Sequence, residues 1–278
     1  MGSVFTYYKY LLKKNLLSWR MLSVVVVTIL ILDSFFSTVR SFCADAEMKV
    51  SQWGFAIMWN NKYIVLCFFL IFIYAIANLP QDRRKERYMI ARMGVSKWMY
   101  GQVLYIITFG WLYTFFIVIM QNLLLCPVLE WNEKWGGGWA ALTDSNIILD
   151  SNVLVTVSKT ILSNYSPMQA TILVILIMGM LFGMLGTLML CLNSYSKVLG
   201  PLVTSAIVFL SLAAKKDDTL YRYSPVSWIQ IDCHYSKTHS NYPALNYIFL
   251  VLIMLNVLFA VLTKIRINST QENNRRRY

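Results

Sequence analysis

Charge is what this chain has least of: 14% of its 278 residues carry it, while 58% are hydrophobic. An ordinary soluble domain carries about 25% charged residues, so a water-soluble fold is excluded and a polytopic membrane protein is expected. Cysteine is sparse too. Five are too few for a disulfide scaffold; Cys67 and Cys191 sit in or at the end of apolar runs as small apolar residues, and of Cys43, Cys126 and Cys233 one pair can oxidise without the sequence selecting which. Catalytic signatures are missing. Without G-x-x-x-x-G-K-[ST] the chain is not its own phosphate-cradling ATPase, and H-E-x-x-H and G-x-S-x-G are absent as well. The run DCHYSKTH groups Asp232, Cys233, His234 and His239, but histidines five apart do not share a helix face, and a plain surface loop is the better reading.

What is present is apolar length. Six runs approach the ~20 residues that a spanning helix needs: 21 to 39, 63 to 80, 99 to 125, 170 to 192, 197 to 214 and 245 to 263. A charged leader of 20 residues precedes the first, with no small-residue cleavage pattern soon after, which argues against a removable signal. With six crossings both termini share one side. If that side is the cytoplasm, it holds 16 of the 25 basic residues and three acids, a balance of +13, against −1 outside. Both termini are therefore expected in the cytoplasm, and the net charge of +12 is a topology signal that gives no reason to invoke nucleic acid.

Residues 3 to 20 show helical periodicity, with Phe5, Tyr8, Leu12, Leu16 and Trp19 three or four apart and Ser3 as a cap. This predicts an amphipathic helix over 1 to 20 lying on the inner surface, its lysines near anionic headgroups. Myristoylation at the MGSVFT start is discounted, since the spans already hold the chain in the membrane. Asp33 falls ~18 Å beyond Met21, at the outer rim or in a pathway; the polar residues that follow favour the rim. Gly179, Gly183 and Gly186 bare one helix face and predict close helix packing, within the chain or across a dimer. Asn78, Thr204 and Ser205 are the other polar hints of a pathway. The outer segments are 40 to 62, 126 to 169 and 215 to 244. A 44-residue structureless connection is unusual, so 126 to 169 should form a small cap with short helices, and the Tyr- and Trp-rich third segment should partly re-enter the headgroup region. Asn164-Tyr-Ser is an outer-side sequon, relevant only in a eukaryotic secretory pathway. Residues 266 to 278 form a basic tail.

The most hydrophilic stretch, LPQDRRKERYMIARMGVSKWMYGQ at 79 to 102, lies between the second and third runs. A short helix is predicted over 82 to 93, with Met89, Ile90 and Met93 forming an apolar patch beside Glu86, Arg87 and Arg92. Gly94 should stop it in a left-handed conformation, and Ser96 should cap the helix that follows. An isolated helix with a polarizable Met patch ringed by charge suits a protein groove better than solvent.

Glu86, Gly94, Val95, Ser96 and Lys97, together with the outer Ser224-Pro225-Val226-Ser227-Trp228 before the last run, resemble the membrane subunit of type-2 ATP-binding-cassette exporters. The order of amphipathic helix, spans and charged loop is similar along nearly the whole chain; the long segment before the fourth run departs from it. The resemblance implies an all-α membrane protein with six transmembrane helices. It implies a coupling helix at 82 to 93 seated in a separate ATP-binding-cassette ATPase subunit, which would carry the ATP and Mg, with no cofactor in this chain. It further implies a second permease copy, a bacterial cytoplasmic membrane and an amphipathic substrate, a bacteriocin-like or cytolytic peptide being preferred. The rival readings are a non-transporting immunity or sensor subunit that docks a partner through residues 82 to 97, and a secondary transporter; the latter is disfavoured because no charge falls mid-span apart from Asp33 and no discontinuous helix pair is evident.

Overall fold

Ser18 makes the first break in the chain. Its hydroxyl accepts from the Met21 N–H at 3.2 Å and donates to the Asn15 carbonyl at 2.6 Å, so one side chain both ends α1 (Gly2–Leu16) and caps α2 (Trp19–Asp45). This computed structural model describes residues 2–80, 87–143, 155, 157–214, 218–235 and 242–275. After α2 come β1 (Val50–Ser51), α3 (Gly54–Met58), α4 (Lys62–Ile76), α5 (Arg87–Met93) and α6 (Val95–Leu125). They are followed by β2 (Leu129–Glu130), α7 (Gly137–Ala141), α8 (Lys159–Asn164), α9 (Pro167–Asn193), α10 (Leu199–Ala214), α11 (Asp218–Tyr223) and α12 (Leu245–Arg275). Asn61 caps α4 by accepting from the Tyr63 and Ile64 N–H groups, and Ser166 caps α9, with Pro167 at the first position where no hydrogen bond is lost.

Among the described residues, four helices are long and apolar enough to cross a membrane: Trp19–Asp45, Val95–Val128, Pro167–Asn193 and Leu245–Ile267. The chain is thus a helical, multi-pass membrane protein. The runs at 63 to 80 and 197 to 214 become shorter apolar helices of 15 and 16 residues, α4 and α10. At 1.5 Å per residue these span about 22 and 24 Å, short of a hydrocarbon core of about 30 Å. The shortening has local causes: the chain leaves the helix at Ala77, and residues 194–198 are spent on turns before α10 starts.

The centre of the bundle is α9, which packs most extensively on α6 and α12. Two-thirds of its most apolar stretch is buried, against 17% for α12, whose outward face is a row of Leu, Ile, Val and Met. The glycines of α9 explain the close approach. A Cβ on Gly179 would lie 2.8 Å from the Trp111 ring of α6, one on Gly183 2.8 Å from Asn256 Oδ1 of α12, and one on Gly186 would run into Ile106 of α6. Aromatic rings fill the space between α4, α6 and α9: Phe72 stacks on Phe182 at 4.3 Å and on Phe109 at 5.8 Å, and Phe109 continues to Tyr105 and Tyr113.

At one end of the bundle the connections interlock into a cap. β1 and β2 pair in parallel, Trp139 donates to the Ser51 carbonyl at 3.0 Å, Ser51 donates to the Trp135 carbonyl at 2.9 Å, and Trp53 donates to the Asn132 carbonyl at 2.7 Å. Beside it residues 225–235 form two 3₁₀ turns, and Val226 through Ile231 are buried. α1 and the Arg266 turn of α12 lie at the opposite end, where Tyr7 covers Gly101 and Arg266 lies over Tyr195.

α1 packs on the bundle through one face. Tyr7 and Leu11 are its buried side chains and dock on α6, with Gln102 donating to the Tyr7 hydroxyl at 2.8 Å. The expected stripe splits: Tyr8 and Leu12 flank the dock, while Phe5, Leu16 and Trp19 stay exposed. The missing side chain of Gly101 decides the matter, because it opens the space that the Tyr7 ring occupies.

Candidate partner-docking site

The break between α5 and α6 rests on one residue. Gly94 has φ +81° and ψ 153°, a region essentially reserved for glycine. It is not the left-handed helical conformation expected from the sequence, and the difference lets Gly94 serve both helices. Its N–H closes α5 on the Ile90 carbonyl at 2.8 Å, and its carbonyl accepts from the Trp98 N–H at 3.1 Å to open α6. Gly94 is therefore the cap residue and Ser96 lies one position inside the helix, so the expected Ser96 cap is not made. No residue of slack separates α5 from a 31-residue helix.

α5 runs from Arg87 to Met93, shorter than the expected 82 to 93 because residues 81–86, Glu86 among them, lie outside the described residues. Met89, Ile90 and Met93 turn inward, half-buried against the core. That patch roots the helix in its own chain. The side turned to solvent offers Tyr88, 73% exposed, with Ala91 and Arg92. An aromatic ring and a guanidinium on a helix of about two turns are residue types that dominate protein contacts.

Around this elbow the chain is tied by a residue that no sequence pattern singled out. Asn193, at the end of α9, donates from Nδ2 to the carbonyls of Leu79 and Ala77, and its Oδ1 accepts from the Gly200 N–H at 3.1 Å. One buried amide thereby joins the ends of α4 and α9 to the start of α10, directly before residues 81–86 lead to α5. Gly200 is bare because a Cβ there would run into that amide. Cations lie over tyrosine rings at this end: Lys14 over Tyr10 at 5.4 Å, Arg20 over Tyr74 at 5.0 Å, Lys264 over Tyr100 at 5.5 Å and Arg266 over Tyr195 at 4.2 Å.

The polar hints of a pathway are not brought together. Asp33 is 47% exposed and bonds Arg40 at 2.6 Å, while Arg40 also donates to the Leu124 carbonyl at 3.1 Å, which closes a rim between α2 and α6. Asn78 is exposed at the opposite end, in the turn after α4. Thr204 is buried and donates to its own helix at Gly200 O, 2.7 Å, and Ser205 is half-buried beside it. Among the described residues no group of three His, Cys, Asp or Glu side chains is placed to hold a metal ion. His239 and part of the 126 to 169 segment lie outside those residues. None of the five cysteines is in a disulfide.

In the cap, burial raises the Tyr221 hydroxyl well above its ordinary pKa, and that hydroxyl donates to the Ser227 and Gln230 carbonyls at 2.9 and 3.1 Å. Burial also lowers the pKa of His234, against the opposing pull of the Trp228 carbonyl, Asp232 and the Pro243 carbonyl.

Compared with family models, curated proteins and solved structures, the chain matches none. Fold and surface together define a class: an all-α multi-pass membrane protein with a rigid helical elbow protruding between two of its apolar helices.

Proposed function

We propose that this chain is the catalytically silent permease subunit of an ATP-driven exporter of the bacterial cytoplasmic membrane. The observation that carries this reading is the elbow. A short helix anchored by its methionines and fused through Gly94 to a long membrane helix transmits a push at Tyr88 and Arg92 directly to α6, and through the Asn193 tie to the ends of α4, α9 and α10. A cytoplasmic ATP-binding-cassette subunit, holding ATP and Mg, is the partner that supplies such a push. In this reading α5 with the residues before it, 82 to 93, is the coupling helix, and Glu86, Arg87 and Arg92 contribute its charge.

The remaining parts follow. α4 and α10 complete six crossings, the shortfall in their length met by local thinning of the bilayer, and both termini face the cytoplasm under the weight of 16 basic residues. Because aromatic rings pack the interior of the bundle, a single copy offers no conduit, and the substrate passes between two copies. An amphipathic peptide suits a route with lipid-like walls.

The test is purification from mild detergent out of cells that carry the neighbouring genes. A P-loop ATPase should accompany the wild-type chain and be lost from the Tyr88→Asp/Arg92→Glu variant, whose elution volume stays that of an intact membrane protein. Absence of any ATPase from the wild-type preparation counts against the exporter and leaves the immunity or sensor reading in place.

A further inference from the structure

The turn between α1 and α2 leaves an apolar surface that neither helix covers. Leu17 is 78% exposed and Trp19 85%, and with Leu16, Leu22 and Val25 they line an open hollow of about 360 Å³. From it an apolar track climbs α2 along Leu22, Val26 and Leu30, all exposed and four residues apart, which is one face of the helix over about 12 Å.

The chemistry beside the hollow has one sign. The Leu17 N–H still bonds the Lys13 carbonyl at 3.3 Å, so helical geometry holds to the turn. Lys13 then stands directly behind Leu16 and Leu17, three and four residues back, with Lys9 one turn further on. Both lysines are exposed, and Lys9 lies with its ammonium 4.7 Å from the Phe5 ring centroid. No acidic residue occurs in positions 1 to 32. Two ammonium groups at the head, an apolar hollow below them and an apolar track continuing along a membrane helix have the polarity and order of a single anionic phospholipid.

We infer that the α1–α2 turn is a seat for one anionic phospholipid, its phosphate held by Lys9 and Lys13 and an acyl chain lying in the hollow and along Leu22, Val26 and Leu30. The seat is independent of what the chain transports. Lipid bound there fixes α1 against α2 where the two helices share few contacts of their own, and so steadies the α1 face that docks on α6 through Tyr7.

Trp19 is the reporter. The full chain is reconstituted in phosphatidylcholine bilayers with a small fraction of brominated phosphatidylglycerol or, in a parallel sample, brominated phosphatidylcholine. Subtracting the signal of a Trp19→Phe variant removes the other eight tryptophans. Quenching of the Trp19 component should follow phosphatidylglycerol with an affinity about thirtyfold above phosphatidylcholine, the value for two lysines near an anionic charge. Lys9→Gln/Lys13→Gln should abolish the difference and Lys13→Arg should keep it, with melting temperatures recorded to confirm that each variant is folded. Equal quenching by the two lipids, or a preference that survives Lys9→Gln/Lys13→Gln, overturns the proposal. Relief of phosphatidylglycerol quenching by inorganic phosphate also overturns it, because the lysines would then hold a free anion without the chain.

Discussion

At the residue scale three positions decide how rigid the elbow is. Gly94 has room for a side chain but not the backbone angle for one: nothing lies within 4 Å of a Cβ, while φ is +81°. Gly94→Ala should therefore destabilise the junction by about 1–3 kcal/mol through strain alone, read as a lower melting temperature in detergent, and Gly94→Val should cost at least as much. Gly186 is the reverse case, with ordinary helical angles and no room, so Gly186→Leu should cost about 1–3 kcal/mol or more by pushing α9 off Ile106 and Ile76. Asn193→Ala removes a buried donor and acceptor that serve three backbone groups, with an expected loss of about 1–3 kcal/mol. Asn193→Asp keeps the acceptor for Gly200 but turns an anion toward two carbonyls, and should be no better than alanine. If Asn193→Asp melts like the wild type, the tie does not matter.

At the element scale the sequence was legible where a pattern is local and blind where it is relational. The α5–α6 break could be read from Gly94 because a glycine between two helical stretches has few other meanings. The cap at Ser96 was misassigned because a carbonyl in the right place, that of Gly94, opens a helix without any side chain. The Met89, Ile90 and Met93 stripe was visible, but not which way it would face; it turns to the chain's own core because α6 is fused beside it. The stripe of α1 was read from hydrophobic spacing alone, whereas its docking face was selected by Gly101 far along the chain. Asn193 gave no signal, a lone polar residue at a helix end whose partners sit 114 and 7 positions away.

The cap also makes a pH prediction at this scale. His234 is held neutral by burial, so its pKa in the folded chain lies below the ordinary value near 6.5. The unfolded chain binds the proton first as pH falls. Cap stability should therefore be complete above about pH 6.5 and decline as pH drops toward the lowered pKa, followed through the fluorescence of the Trp-rich cap during unfolding at pH 7.5 and 5. His234→Asn should flatten that decline; an unchanged slope would mean that His234 is not its source.

At the scale of the whole molecule, the parts differ in how firmly they are held. α9, α6 and the aromatic stack form a closely packed core, and α2, α10 and α12 carry exposed apolar rows. In the proposed reading the moving input is at Tyr88 and Arg92. The most direct test is therefore a photo-crosslinking amino acid in place of Tyr88, activated in whole cells. The account predicts a single major adduct with a P-loop ATPase, diminished when Arg92 is also changed to Glu. Crosslinks only to lipid or to the chain itself, in cells that express such an ATPase, would contradict it.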